Sequence, residues 1–324
     1  MAVPPAAMDD DIQRIYDTLH SVHRRWEIRH GRAEELLCFL QRSLPHIARA
    51  SWPERFAWGG IFVNGRPAER DCVLKPPCVV EYFEPKVGFA ELAALYPEFL
   101  PERHLLYQDE DLIVAFKPAG LPSKPSKEQK RYSLLASLER CLGRRLHMPS
   151  RLDAATAGVV IASKSRRGHS ALQQAFEHRR IHKQYLLEVP GGVEWRETTV
   201  DAAIDRDPRH PVLRRVVESG GRQAITRFRR LYQVDRAAEG QERTFTLLLA
   251  EPLTGRTHQI RVHSASLGLP LVGDIFYQGP AAAELHLLSY RLQLQHPFTK
   301  QRLRVEVPPE LLPDWIDGER IPRR

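Results

Sequence analysis

The sequence predicts an α+β fold, on three observations. Strand signals and helix-period segments mix along the 324 residues without regular βαβ alternation. Hydrophobic residues make up 42% and charged residues 27%, with only 25 Pro and 19 Gly, the composition of a chain with a packed core rather than a disordered or fibrous one. At roughly 150 residues per domain, the length suggests about two domains.

Residues 1–10 read as a tail. Residues 11–30 read as a helix, with Ile12, Ile15, Leu19 and Val22 at helical spacing. Together they give an N-terminal tail and helix over 1–29. Helical periodicity returns over 33–60 through Leu36, Leu37, Leu40, Leu44 and Ile47, then Trp52, Phe56 and Trp58. Ile61-Phe62-Val63 followed by Asn64-Gly65 signals a strand entering a hairpin turn, and Val79 to Phe83 a second strand. Residues 30–85 therefore form a small α+β unit. Residues 86–103, marked by Pro97 and Pro101, are a linker, and a second domain runs over 104–324.

Within that domain, Leu112 to Phe116 is a strand that stops at Lys117-Pro118, because proline cannot donate to a ladder. Gly158 to Ala162 is a buried strand, 168–181 an amphipathic helix through Leu172, Ala175, Phe176 and Arg179, and 183–189 and 245–250 further strands. Residues 258–267 read as a helix, with Thr257 as N-cap and Gly268 as the C-terminal stop, although Gln259 to Ser264 also alternates like a strand.

Charge is concentrated. The chain carries +8, yet residues 127–183 hold 13 Lys or Arg against 4 acids, a local +9, so the remainder sums to −1. Arg outnumbers Lys there and suits bidentate phosphate contacts, so an anionic partner is expected. Cys38, Cys72, Cys78 and Cys141 form no C-x-x-C pair and fit no common zinc spacing, which predicts reduced, mostly buried thiols and no metal. No P-loop or dinucleotide fingerprint is present, so no cofactor is expected. No apolar run reaches the roughly eighteen residues of a membrane span. Met1 to Asp11 lacks a basic start and an apolar core, which argues against a signal peptide. A cytoplasmic protein with no membrane association is expected, and no obligate protein partner is evident.

Three constellations carry chemistry. Ser150-Arg151-Leu152-Asp153, with Thr156 and Gly158, puts a carboxylate at a strand edge inside the basic segment. Such a group is a salt-bridged loop residue or a nucleophile for a nucleic-acid reaction. Gly255-Arg256-Thr257-His258-Gln259-Ile260-Arg261-Val262-His263 places two arginines around a tight turn, with no acid or thiol nearby to make His258 and His263 a metal pair. His182-Lys183-Gln184-Tyr185 opens a strand, where Tyr185 is either core packing or a stacking platform for a base.

At these motifs the sequence resembles the RluA-type pseudouridine synthases over about residues 104–310. Asp109 to Val114 running into Lys117-Pro118-Ala119-Gly120-Leu121-Pro122, and Leu267 to Asp274, are further matches. The family usually has His where this chain has Ser150, and Ser where it has Ala157. The resemblance implies a mixed, mainly antiparallel catalytic sheet and isomerisation of uridine to pseudouridine in ribosomal or transfer RNA, without a cofactor. It implies that Asp153 is the catalytic carboxylate, that Arg261 pairs with it, and that Tyr185 stacks on the displaced uracil. Arg151 would fill the space of the extruded base, with Arg256, His258 and Thr156 as further substrate contacts. Residues 30–85 resemble the RNA-binding fold of ribosomal protein four of the small subunit, at Leu37 to Leu40, Ala48-Arg49, Trp58 to Gly65 and Val73 to Pro76. The rival reading is a non-catalytic RNA-binding or assembly factor on the same scaffold, which would have no reason to place Asp153 among phosphate-seeking arginines.

Overall fold

The computed structural model describes residues 22–86, 88, 91, 94–127, 131–210, 212–238 and 241–322. The chain divides into two compact units, residues 1–96 with 124–140, and residues 97–123 with 141–324. The break after residue 96 lies inside 86–103, and residues 124–140 group with the N-terminal unit.

The first unit is built from β1 (Val22–Ile28), β2 (Glu34–Glu35), α1 (Leu36–Ser43), α2 (Trp52–Trp58), β3 (Ile61–Val63), β4 (Arg66–Pro67), β5 (Val73–Leu74) and β6 (Cys78–Glu84). Its four-stranded sheet runs β1-β6-β3-β4. Leu36, Leu40, Trp52, Ile61, Val80 and Tyr82 form the centre of its core. The hairpin at Asn64-Gly65 forms as expected, with Val63 opposite Arg66. The helix expected over 11–30 is overturned where it can be seen: 22–28 is a strand, and residues 1–21 lie outside the described residues. The reason is tertiary. Arg24, Trp26 and Ile28 alternate inward with period two, and the strand pairs with β6 along its full length.

The second unit continues with α3 (Pro101–His104), β7 (Leu105–Gln108) and β8 (Leu112–Lys117). Helix α4 (Leu134–Leu142) lies mostly in the first unit, and the second resumes with β9 (Ala157–Ser163), α5 (Arg166–Glu177), β10 (Ile181–Pro190), β11 (Glu197–Asp201), β12 (Ala203–Arg206), β13 (Arg214–Val217), β14 (Ile225–Ala238), β15 (Gln241–Pro252), α6 (Gln259–Ser266), β16 (Leu287–Gln295) and β17 (Arg302–Glu306). A nine-stranded sheet runs β11-β14-β15-β10-β16-β9-β8-β7, with β17 beside β16. Its pairs are antiparallel except β9 with β16, and the fold is α+β with a mainly antiparallel sheet.

Both faces of this sheet are buried. Along β15, Leu247 and Leu249 join one apolar cluster while Leu248 and Ala250 join the other. Along β10, Leu186 belongs to the first and Tyr185, Leu187 and Val189 to the second. This two-sided burial explains the continuous apolar runs of β8, β9 and β15. The parallel contact of β9 with β16 needs glycine: Gly158 has φ +116°, and a Cβ there would lie 2.2 Å from the Ser289 carbonyl oxygen.

The helix expected at 168–181 starts earlier and ends earlier. Ser165 caps it by accepting from the Gly168 N–H at 3.0 Å, and Arg179 leaves it with φ +55°. All four cysteines are free thiols, but only Cys78 is buried, which corrects the expectation of mostly buried thiols. Among the described residues, no helix is long and apolar enough to cross a membrane.

Candidate active site

Asp153 sits in the loop that enters β9, and the segment after β8 clamps that loop on both sides of it. Ser123 Oγ donates to the Leu152 carbonyl at 2.7 Å and accepts from the Leu152 N–H at 2.9 Å. The Gly120 N–H donates to the Ala154 carbonyl at 2.8 Å. Fully buried Lys117 donates from Nζ to the carbonyls of Pro118, Leu121 and Ala154 at 2.7–2.9 Å. Burial presses the Lys117 pKa from 10.5 down to about 7, against the field of Asp153. The three carbonyls, one for each N–H of an ammonium, hold the charged form against that penalty. Thr156 closes the turn, its N–H donating to the Asp153 carbonyl at 3.1 Å. The backbone at Asp153 is thus fixed on both sides while its side chain stays 25% exposed.

Arg261 approaches it from the first turn of α6. The guanidinium is buried and divides its donors. Nε and Nη2 donate to the two oxygens of fully buried Asp274 at 2.7 and 2.6 Å. Nη1 faces Asp153 Oδ2 at 3.7 Å, an ion-pair distance rather than a hydrogen bond. Arg261 therefore spends its hydrogen bonds on Asp274 and presents its remaining charge to Asp153. The expected Arg261–Asp153 contact is an ion pair, beside the hydrogen-bonded pair of Arg261 with Asp274. Burial opposes the charge on Arg261, but its bonds to Asp274 and the fields of both carboxylates outweigh burial and raise its pKa. Asp274 itself is placed by Gly273, whose φ is +76° and whose position would put a Cβ 1.9 Å from the Glu284 carbonyl oxygen.

His258 completes the carboxylate's surroundings. It is the N-cap of α6, in a left-handed conformation with φ 56°. This replaces the expected cap at Thr257. The turn is held instead by Gln259, whose Oε1 accepts from Thr254 Oγ1 at 2.7 Å and from the Arg256 N–H at 3.0 Å. At the other end, Gly268 has φ +75°, as a helix stop requires. His258 is buried, with Nε2 3.6 Å from Asp153 Oδ2 and Nδ1 2.9 Å from the Tyr277 hydroxyl. That hydroxyl accepts from the Arg214 N–H at 3.1 Å, so its own proton is left for His258 Nδ1. The tautomer this network favours carries its proton on Nε2, facing Asp153.

Burial pushes the His258 pKa from 6.5 down to about 4, against the opposing pull of Asp153. The folded protein holds the neutral ring, so stability is present in full above 6.5 and is lost as pH falls through 4. Replacing His258 with Gln is expected to flatten this acid limb by up to about 3 kcal/mol. Thermal melts between those two pH values check it, and parallel limbs for parent and variant would contradict the neutral assignment.

Tyr185 follows a bulge in β10 and is buried in the apolar cluster that also contains Ile260 and, at its edge, Leu152. Those residues neighbour Arg261 and Asp153 in the chain, so Tyr185 lies on the sheet face that carries the site. Arg151 is exposed beside Asp153. Arg256 is half-buried and donates from Nε to the Gln223 carbonyl at 3.0 Å. The Thr156 side chain is buried, and its backbone N–H closes the turn onto the Asp153 carbonyl. His263 is fully buried, with Nδ1 2.9 Å from Thr226 Oγ1 and Nε2 3.0 Å from the Ala202 carbonyl, away from Asp153. Sequence reasoning assigned no role to Lys117, Ser123, Gln259, Asp274 or Tyr277. Lys117 and Asp274 stood within recognised motifs; Tyr277 carried no signal.

The chain is similar to known RNA pseudouridine synthases. The family model described as RNA pseudouridylate synthase matches residues 111–266. The chain is 34% identical over 230 residues to the uncharacterized RNA pseudouridine synthase YhcT of Bacillus subtilis, covering 68% of this chain and 72% of that protein. It is 32% identical over 275 residues to YjbO of the same organism, also an uncharacterized RNA pseudouridine synthase, covering 82% and 92%. It is 35% identical over 216 residues to the dual-specificity RNA pseudouridine synthase RluA of Vibrio cholerae, covering 65% and 84%. The solved human RNA pseudouridylate synthase domain containing 1 superposes with a TM-score of 0.56 at 23% identity, covering 67% of this chain and 87% of that one.

Proposed function

This chain belongs to the RluA-type RNA pseudouridine synthases, and from that premise we propose that Asp153 is the catalytic carboxylate acting on a uridine of ribosomal or transfer RNA. The observation that carries the reading is the division of Arg261 between two acids. Asp274 takes the hydrogen bonds of the buried guanidinium, and the charge left over faces the exposed edge of Asp153 at 3.7 Å.

The reaction breaks the bond from uracil N1 to the ribose, turns the base, and rejoins it through C5, from which a proton leaves. A carboxylate serves as nucleophile, or removes a sugar proton, only when ionised. The Arg261 guanidinium and the Nε2 of neutral His258 both face Asp153 Oδ2, at 3.7 and 3.6 Å. An oxygen that Arg261 and His258 approach without short hydrogen bonds stays available for chemistry.

The base is beyond reach inside a stack, so it must be flipped out, at a cost of a few kcal/mol. Tyr185 supplies a surface for the extruded uracil, and Arg151, exposed at the mouth, enters the space it leaves. Arg256 and Thr156 act through the loops that frame the site. Exposed arginines of the basic segment, among them Arg145, Arg166 and Arg180, contribute phosphate contacts that offset flipping. Residues 30–85 act as a second RNA-binding element, and the protein works in the cytoplasm with its substrate.

The test is release of tritium from C5 of uridine. Unmodified ribosomal and transfer RNA transcripts labelled at that position are incubated with the full chain. Release from a subset of them is expected. Binding without release from any transcript would turn the reading toward a non-catalytic RNA-binding factor.

A further inference from the structure

Behind the aromatic pair that backs Arg261 lies an open cleft of about 210 Å³, separate from the Asp153 loop. Its floor is apolar, made by Leu213 and Val216 of the β12–β13 region and by Val262 and Ala265 of α6. Phe276 and Tyr277 form one wall. These two rings also back the catalytic arginine, whose guanidinium carbon lies 5.0 and 5.2 Å from their centres. Arg209, Arg214 and Arg215 line the cleft against a single acid, Asp207. Buried Asp207 is taken up by Arg209, whose Nε and Nη2 lie 2.7–3.2 Å from its oxygens. Arg215 is exposed, and its field reaches Asp207, whose hydrogen bonds are taken by Arg209.

We propose that this cleft seats a second ribonucleotide of the RNA chain, close in sequence to the uridine at Asp153. The enclosed volume is smaller than the roughly 300–1,000 Å³ of drug-sized ligand sites, and suits one base with its ribose and phosphate left at the open edge. An aromatic wall over an apolar floor accepts the face of any base, and the Arg215 guanidinium suits a phosphate. The single wall shared with the catalytic site places the second nucleotide beside the first, so the RNA is held on both sides of the reacting base. This rests on the reading that the chain modifies RNA.

The experiment uses the full chain and tritium release from the transcript pool. Two variants alter the cleft without touching the Asp153 site: Ser266→Trp fills it from an exposed position at the end of α6, and Arg215→Ala removes the phosphate contact. Ser266→Trp is expected to raise KM for the transcripts by about tenfold or more, with kcat held within about twofold. Arg215→Ala is expected to reduce the salt slope of binding by about one. Melting temperatures close to the parent's separate these effects from misfolding, and Arg215→Ala keeps the test open if the tryptophan perturbs α6. Parental KM and salt slope in both variants would overturn the proposal. Micromolar free uridine 5′-monophosphate that alters release in the parent but not in Ser266→Trp would assign the cleft to a free nucleotide and would also overturn it. Failure of the functional reading looks different, because the unaltered protein itself would then release no tritium.

Discussion

Asp153→Asn is expected to bind RNA as the parent does and to lose tritium release by on the order of 10⁴-fold or more. The substitution changes charge and almost nothing else. Ser123, Gly120 and Lys117 hold the loop through the backbone at Leu152 and Ala154, so the side chain at 153 is not needed to shape it. Arg261 keeps its two bonds to Asp274 in the variant. An amide is neither a nucleophile toward the sugar nor a base at neutral pH, so the chemical step alone disappears. Single-turnover release at saturating RNA measures it. Turnover by the variant at more than a small fraction of the parental rate would move the catalytic group elsewhere.

Asp274→Ala is expected to cost about 3–5 kcal/mol of stability, because it strands a buried guanidinium without its hydrogen-bonded partner. For a domain of this size that is roughly 6–20 °C in melting temperature. The rate should fall as well, for a distinct reason. Once released from Asp274, Arg261 can close the 3.7 Å gap to Asp153 and form direct hydrogen bonds that occupy the reactive oxygen. Asp274→Asn retains acceptor capacity on one side and should lie between parent and alanine in both measurements. Melting followed by circular dichroism, with release assayed well below the transition, separates the effects. Parental stability in the alanine variant would mean that Asp274 does not anchor the arginine.

The strand at 112–117 and the hairpin at Asn64-Gly65 were legible because local chemistry and burial agree there. Residues 22–28 were not, because Val22 continues a helical spacing that starts at Ile12, while pairing with β6 decides the outcome. The cap of α6 was misplaced for a similar reason: a glutamine inside the helix folds back and does the work of a cap hydroxyl. Part of the candidate site was visible as motifs. Arg261 and Asp153 could be named from sequence, but the division of the guanidinium could not. It depends on Asp274, thirteen residues beyond Arg261, being brought back and buried against it. The resemblance implied His258 as a substrate contact. Its burial, its left-handed backbone, its link to Tyr277 and its place beside the carboxylate were not legible in the sequence. None of these is a periodicity or a composition, so a linear reading has no handle on them.

In this mechanism the 153 carboxylate meets an extruded uridine. A crystal structure of Asp153→Asn with a bound transcript would show the encounter. One uridine is expected out of the stack, its base against Tyr185 and its ribose C1′ in van der Waals contact with the side chain at 153. A target uridine still stacked in its helix, or flipped into a place out of reach of residue 153, would contradict it.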